Sequence, residues 1–167
     1  MEPIPQESIE KKIHRIRGKQ VMLDRDLATL YKVATKVLNQ TVKRNLGRFP
    51  DDFMFQLTKK EAEEEISRSQ IVTLKHGHNI KYLPYAFTEQ GVAMLSSVLN
   101  SEVAISVNIQ IIRTFVNLRR MATSRQELWL KIDELEKKYD KQFQVVFKAI
   151  KLLFEKPKDK PGDRFSI

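Results

Sequence analysis

Lys36, Asn39, Gln40, Lys43 and Arg44 recur at helical spacing, and Arg48 follows them. Ammonium and guanidinium groups neutralise phosphate, while the amides of Asn and Gln offer paired donors and acceptors to a base edge. No acid lies between Asp26 and Asp51, whereas Lys32, Lys36, Lys43, Arg44 and Arg48 all do. The chemistry on offer is binding to a polyanion, with a means of reading bases. A plain amphipathic helix with a solvated lysine face has the same pattern, and the stretch alone does not separate the two.

The elements that must hold these residues can be read around them. Asp24 is placed to cap a first helix, on which Leu27, Leu30 and Tyr31 make one apolar side. Thr35 is a second cap, four residues after Tyr31. In the helix it opens, Leu38, Val42 and Asn45 share one face. Lys36, Asn39, Gln40, Lys43 and Gly47 share the opposite face, with Arg44 at its edge. Two short helices with a brief turn make a helix-turn-helix. Gly47 suits a left-handed C-cap, and Pro50 blocks continuation.

A second basic element is expected further on. Ile71 to Leu74 and Ile80 to Leu83 flank Lys75-His76-Gly77-His78-Asn79, which fits a hairpin. Between Ser67 and Thr88 there is again no acid. A basic hairpin after a helix-turn-helix reads as a wing, with Lys75, His78 and Lys81 toward nucleic acid. As a metal site His76-x-His78 lacks third and fourth ligands.

The rest of the chain supplies the scaffold. Met1 to Glu7 reads as a loose tail, and Ile9 to Ile16 as a short helix edge in a basic lead-in. Gly18 turns the chain before Val21 and Leu23, a piece that is either an edge strand or an arm touching phosphate. Phe53, Phe55 and Leu57 alternate with Met54 and Gln56 as in a strand. Thr58 caps a helix through Ile66 whose Glu61, Glu63, Glu64 and Glu65 face largely to solvent. Thr88 opens another helix through Leu99, in which Gly91 allows close packing. Ser101 caps a longer one to about Arg120. Its two apolar stripes, Ile105/Ile109/Ile112/Val116 and Val103/Val107/Ile111/Leu118, imply burial on both sides, by a second subunit or by full enclosure. After a linker at Met121 to Ser124, Ile132, Tyr139, Val146 and Leu153 repeat every seventh residue. Leu128, Leu135, Gln142 and Ala149 hold the paired positions, giving a coiled-coil seam of about four heptads. A helix folded back on its own domain is the competing reading.

Composition bounds the partners. The 167 residues carry a formal charge of +9, which favours nucleic acid or an anionic membrane surface. No apolar run is long enough to span a bilayer and the N-terminus lacks a signal-peptide core, so a cytoplasmic protein with no membrane partner is expected. The absence of Cys removes disulfides, thiolate catalysis and Cys-based zinc sites. No phosphate-cradling Gly-rich loop, nucleophile elbow or HExxH is present, so neither catalysis nor a cofactor is expected.

The strings IRGKQVMLDRDLATLY, KVLNQTVKRNLGRFPDDFMFQLT and YLPYAFTEQGVAMLSSVLNSEVAI resemble the ORF-six N-terminal domain family of phage and bacterial proteins. That family is grouped with the KilA-N and Bro-N domains of phages and large DNA viruses. The resemblance covers roughly Ile13 to Arg120 and implies a DNA-binding module of phage antirepressor-like proteins, with no catalytic residue to carry over.

These readings together predict an α+β, winged-helix-like domain over residues 8–121, with a helix-turn-helix and a small antiparallel sheet. A C-terminal coiled-coil helix over 125–156 and a disordered tail over 157–167 follow. The expected function is sequence-specific binding of double-stranded DNA in phage-type transcriptional regulation, as a homodimer through the C-terminal helix. The alternative is an antirepressor that acts mainly by contact with a repressor protein.

Overall fold

The computed structural model describes residues 2–68, 82–138 and 144–154. The chain divides into two compact units, Met1–Phe115 and Val116–Ile167. The expected wing, with Lys75, His76, His78 and Lys81, lies outside the described residues, as do Tyr139 and Gln142 of the heptad seam and the tail from Pro157.

The first unit is α+β. It opens with the short helix α1 (Gln6–Glu10), whose Ile9 is fully buried. The N-terminal tail is tied down before it, because the Ile4 N–H donates to the Gln110 side chain at 2.6 Å. Strands β1 (Ile13–Ile16) and β2 (Lys19–Leu23) then form a hairpin over Arg17 and Gly18. Both loop residues have positive φ, 55° and 74°, as a two-residue turn that matches strand twist requires. The lead-in is thus an edge strand, with Ile13 and Ile16 buried on it.

Helices α2 (Asp24–Tyr31) and α3 (Thr35–Arg44) follow, then a 3-10 turn at Leu46–Arg48 and strand β3 (Met54–Gln56). Helix α4 (Lys59–Arg68) begins with a reciprocal cap. Thr58 Oγ1 accepts from Glu61 N–H at 3.2 Å, and the Glu61 carboxylate accepts from Thr58 N–H at 2.9 Å. Strand β4 (Tyr85–Thr88) completes an antiparallel sheet of order β1-β2-β4-β3. Both faces of this sheet are covered. Leu23 and Phe55 pair with Ala86 in one cluster that also holds Ala62 of α4, while Met22 and Met54 pair with Phe87. Phe87 meets Phe49 edge-on at 6.0 Å between ring centroids.

Helix α5 (Glu89–Leu99) is capped by Thr88, whose hydroxyl oxygen accepts from Gly91 N–H. A Cβ at Gly91 would collide with the Phe53 backbone carbonyl, so the expected close packing is present and is helix against the β3 entry turn. Helix α6 (Glu102–Lys138) starts at the Ser101 cap, where Ala104 N–H donates to Ser101 Oγ at 3.1 Å. It runs on through Met121 to Ser124, so the expected linker is helix. That span has no Gly or Pro, and Met and Ala are strong helix formers. Its two stripes differ: Val107, Ile111 and Leu118 are buried, while Ile105 and Ile109 are 45% and 47% exposed. The described residues therefore do not enclose this helix fully.

In the second unit, α6 ends at Lys138 and α7 spans Gln144–Leu153. Lys151 of α7 pairs with Asp133 at 3.1 Å and with Glu136, and stands 5.7 Å from the Trp129 ring centroid. In one straight helix Asp133 and Lys151 would be about 27 Å apart. Helix α7 therefore folds back along α6, and two helices occupy the span read as one. Lys151 bridges facing positions of this hairpin, in which Ile132 of the seam is buried while Leu128, Leu135, Val146 and Leu153 remain exposed.

Candidate nucleic-acid interface

Two helices and a three-residue turn build the surface. Helix α2 ends on Lys32, which takes the left-handed conformation at φ 59°. The N–H groups of Lys32 and Val33 return to Thr29 O and Ala28 O, closing the helix within one residue and redirecting the chain into α3. Neither helix begins as expected. Leu23 and Ala34, both in extended conformation, stand at the N-cap positions, so Asp24 and Thr35 are the first helical residues.

Asp24 has a larger role than a cap. It is fully buried, and its carboxylate accepts from Arg25 N–H at 2.8 Å, Asn39 Nδ2 at 3.0 Å, Tyr82 OH at 2.6 Å and Tyr85 N–H at 3.2 Å. The Asn39 amide also bonds the Tyr82 hydroxyl. Burial, and the Asp24 carboxylate beside it, push the Tyr82 pKa up, so the phenol stays a donor. This network joins α2, α3 and β4 at one point. Asn39 therefore does not share the outward face of α3. It is 7% exposed, and its amide faces the interior. Helical spacing places it outward by only a narrow margin, since it borders Leu38 and Val42.

Two further contacts fix the pair of helices. Tyr31 OH of α2 donates to the Asn108 side-chain oxygen of α6, and Asn108 Nδ2 donates to Val92 O of α5 at 2.9 Å. Burial raises the Tyr31 pKa. On the other side, His14 of β1 lies between Asp26 of α2, at 3.7 Å, and Glu65 of α4, at 3.1 Å. Burial works against a charged imidazole there, but the two carboxylates outweigh it and raise its pKa to about 9.

What remains outward on α3 is Lys36, Val37, Gln40, Lys43 and Arg44, all exposed. Gln40 lies in the middle. Lys36 and Val37 are one turn before it, and Lys43 and Arg44 one turn after it. Among the described residues no hydrogen bond or ion pair holds the side chains of Lys36, Gln40, Lys43 or Arg44. Flexible cations on both sides of an exposed amide form a surface that can close on phosphates while the amide reaches between them.

A family comparison adds to the geometry. The ORF6N domain model matches residues 11–98, just over half of the chain. The chain belongs to the ORF6N domain family. No curated protein and no solved structure matches it. The ORF6N match spans β1 to α5 and so includes the whole α2–α3 pair, and it points to a phage-type regulatory or antirepressor-like protein.

Within this ORF6N domain the sequence-predicted residues separate. Lys36, Gln40, Lys43 and Arg44 share one surface. Arg48 is exposed on the 3-10 turn and its guanidinium donates to Ser97 Oγ at 3.3 Å. Gly47 is not a left-handed cap; it sits within that turn, and Asn45 ends α3. Glu61 and Glu65 do not face solvent either. Arg17 grips Glu61 with two bonds of 2.8 and 3.0 Å and lies 4.3 Å from the Phe55 ring centroid. That guanidinium outweighs burial and, with the Thr58 bonds, holds the Glu61 carboxyl down at about 2. No local spacing signals the pairing of Arg17 with Glu61, or of Asp24 with Asn39 and Tyr82, because each joins residues far apart in the chain. Among the described residues no group of His, Asp and Glu is placed to hold a metal, and no helix is long and apolar enough to cross a membrane.

Proposed function

We propose that this ORF6N protein is a sequence-specific double-stranded-DNA-binding regulator of phage or prophage genes, acting by binding and not by catalysis. The observation that carries the reading is the outward face of α3, where exposed cations surround Gln40 in a stretch without acids. The α2–α3 pair acts as a helix-turn-helix, with α3 in the major groove and Lys36, Lys43, Arg44 and Arg48 on phosphates. Lys75, His78 and Lys81 contribute from the acid-free stretch between Ser67 and Thr88. The exposed apolar residues Leu128, Leu135, Val146 and Leu153 support a homodimer through the C-terminal helices.

Genome-wide footprinting with the full chain tests this reading. Discrete protected sites sharing a sequence support it. Absence of DNA protection, together with a stable repressor partner in pulldowns at low salt, supports the antirepressor alternative.

A further inference from the structure

Val37 is the anomaly on the outward face of α3. It is 51% exposed, between Lys36 and Gln40 in the sequence. A β-branched residue is only a moderate helix former, and no packing rewards it at an exposed position. It is also not alone. Among the described residues of the first unit, the exposed large apolar side chains are Val33, Val37, Leu46, Tyr82, Val103, Ile105 and Ile109. The last three lie on α6, Ile105 and Ile109 on one side of it, and the Tyr82 hydroxyl is bonded to Asp24. The other three all fall on α3 or the turns at its two ends, the part of the chain that has cations and no acids.

An apolar group on a phosphate-binding surface has one complementary feature in the major groove, the C5 methyl of thymine. Gln40 stands one helical turn from Val37, and an amide in that groove pairs best with adenine N6 and N7. Adenine and thymine are partners. A valine and a glutamine one turn apart therefore match an A·T step from both of its strands.

We propose that Val37 is a specificity-determining residue that reads a thymine methyl group beside an adenine read by Gln40. The proposal rests on the DNA-binding reading above and adds to it the base feature recognised.

The test uses the full chain. A binding site is enriched from random duplexes, and each thymine in it is then replaced singly by deoxyuridine, which lacks only the methyl. At one position the wild type should lose affinity about fourfold, the worth of one buried methyl. Val37→Ala should bind the thymine and deoxyuridine forms equally there, with an unchanged salt dependence. Gln40→Ala should keep the methyl effect and lose the adjacent adenine preference. Because Val37 is exposed and Ala is the better helix former, the variant should fold, and its melting curve checks this. A wild type that enriches a site yet ignores methyl removal at every thymine overturns the proposal and leaves DNA binding intact. So does a Val37→Ala protein that keeps the discrimination. Failure to bind any duplex in a salt-dependent way overturns both the proposal and the reading beneath it.

Discussion

The Asn39 amide donates to the Asp24 carboxylate at 3.0 Å, joining the outward helix to the first residue of the helix before it. The contact is buried at both ends, so losing Asn39 takes one of four donors from a carboxylate held away from water. This separates two amides that are adjacent in the chain. Asn39→Ala should destabilise the protein by about 1–3 kcal/mol and leave its sequence preference unchanged. Gln40→Ala should change stability by less than about 0.5 kcal/mol and relax preference at one base pair by about 1–3 kcal/mol. Thermal melts and binding to mismatched duplexes check both. Equal effects of the two substitutions would contradict the assignment.

Stability should have two pH limbs. His14 has its pKa raised from 6.5 to about 9, so its contribution is full below about 6.5 and is lost as pH rises through 9. Glu61 has its pKa lowered from 4.5 to about 2, so its contribution is full above about 4.5 and is lost as pH falls through 2. Melting temperature between about pH 6 and 10 should fall for the wild type and fall less for His14→Gln. Between about pH 5 and 2, Glu61→Gln should flatten the acid limb in the same way.

Gly91 predicts a backbone effect. Its missing side chain lets α5 meet the Phe53 carbonyl, which is main chain and cannot rotate aside. Gly91→Ala should cost about 1–3 kcal/mol or more, although Ala is the better helix former elsewhere. A denaturation midpoint equal to or above that of the wild type would show that the turn at Phe53 yields.

The C-terminal helices should hold a dimer. Leu135 and Val146 are 42% and 53% exposed in the single chain. Leu135→Glu with Val146→Glu should give a monomer in sedimentation while the first unit still melts cooperatively. DNA affinity should then fall by about a hundredfold, because two half-sites are no longer engaged together. If the double variant stays dimeric, the exposed Ile105 and Ile109 stripe of α6 is the interface instead.

Much of this architecture is legible in local patterns. The α2–α3 pair and the strand at Phe55 follow from spacing, and the Thr88 and Ser101 caps from capping chemistry, whereas Asp24 and Thr35 are not caps. Strand β4 carries no such signal, because it is four residues long and wedged between Pro84 and a helix cap. Its Ala86 and Phe87 are both buried on opposite faces, so it shows no polar alternation. Glu61 and Glu65 look solvated in the sequence because their partners, Arg17 and His14, lie on a hairpin far back in the chain. The outward cations and Gln40 are legible from helical spacing, and Asn39 is not. One step of helical phase separates its outward and inward positions, and Asp24 decides which is taken.

The most direct test of the central claim is the salt dependence of duplex binding by the wild type and by Lys43→Ala/Arg44→Ala. Each phosphate contact adds about 0.9 to the slope of log affinity against log salt. The double variant should lose about two such contacts, weakening binding to all sequences alike while melting as the wild type does. An unchanged affinity and slope would contradict the account and remove α3 from the interface.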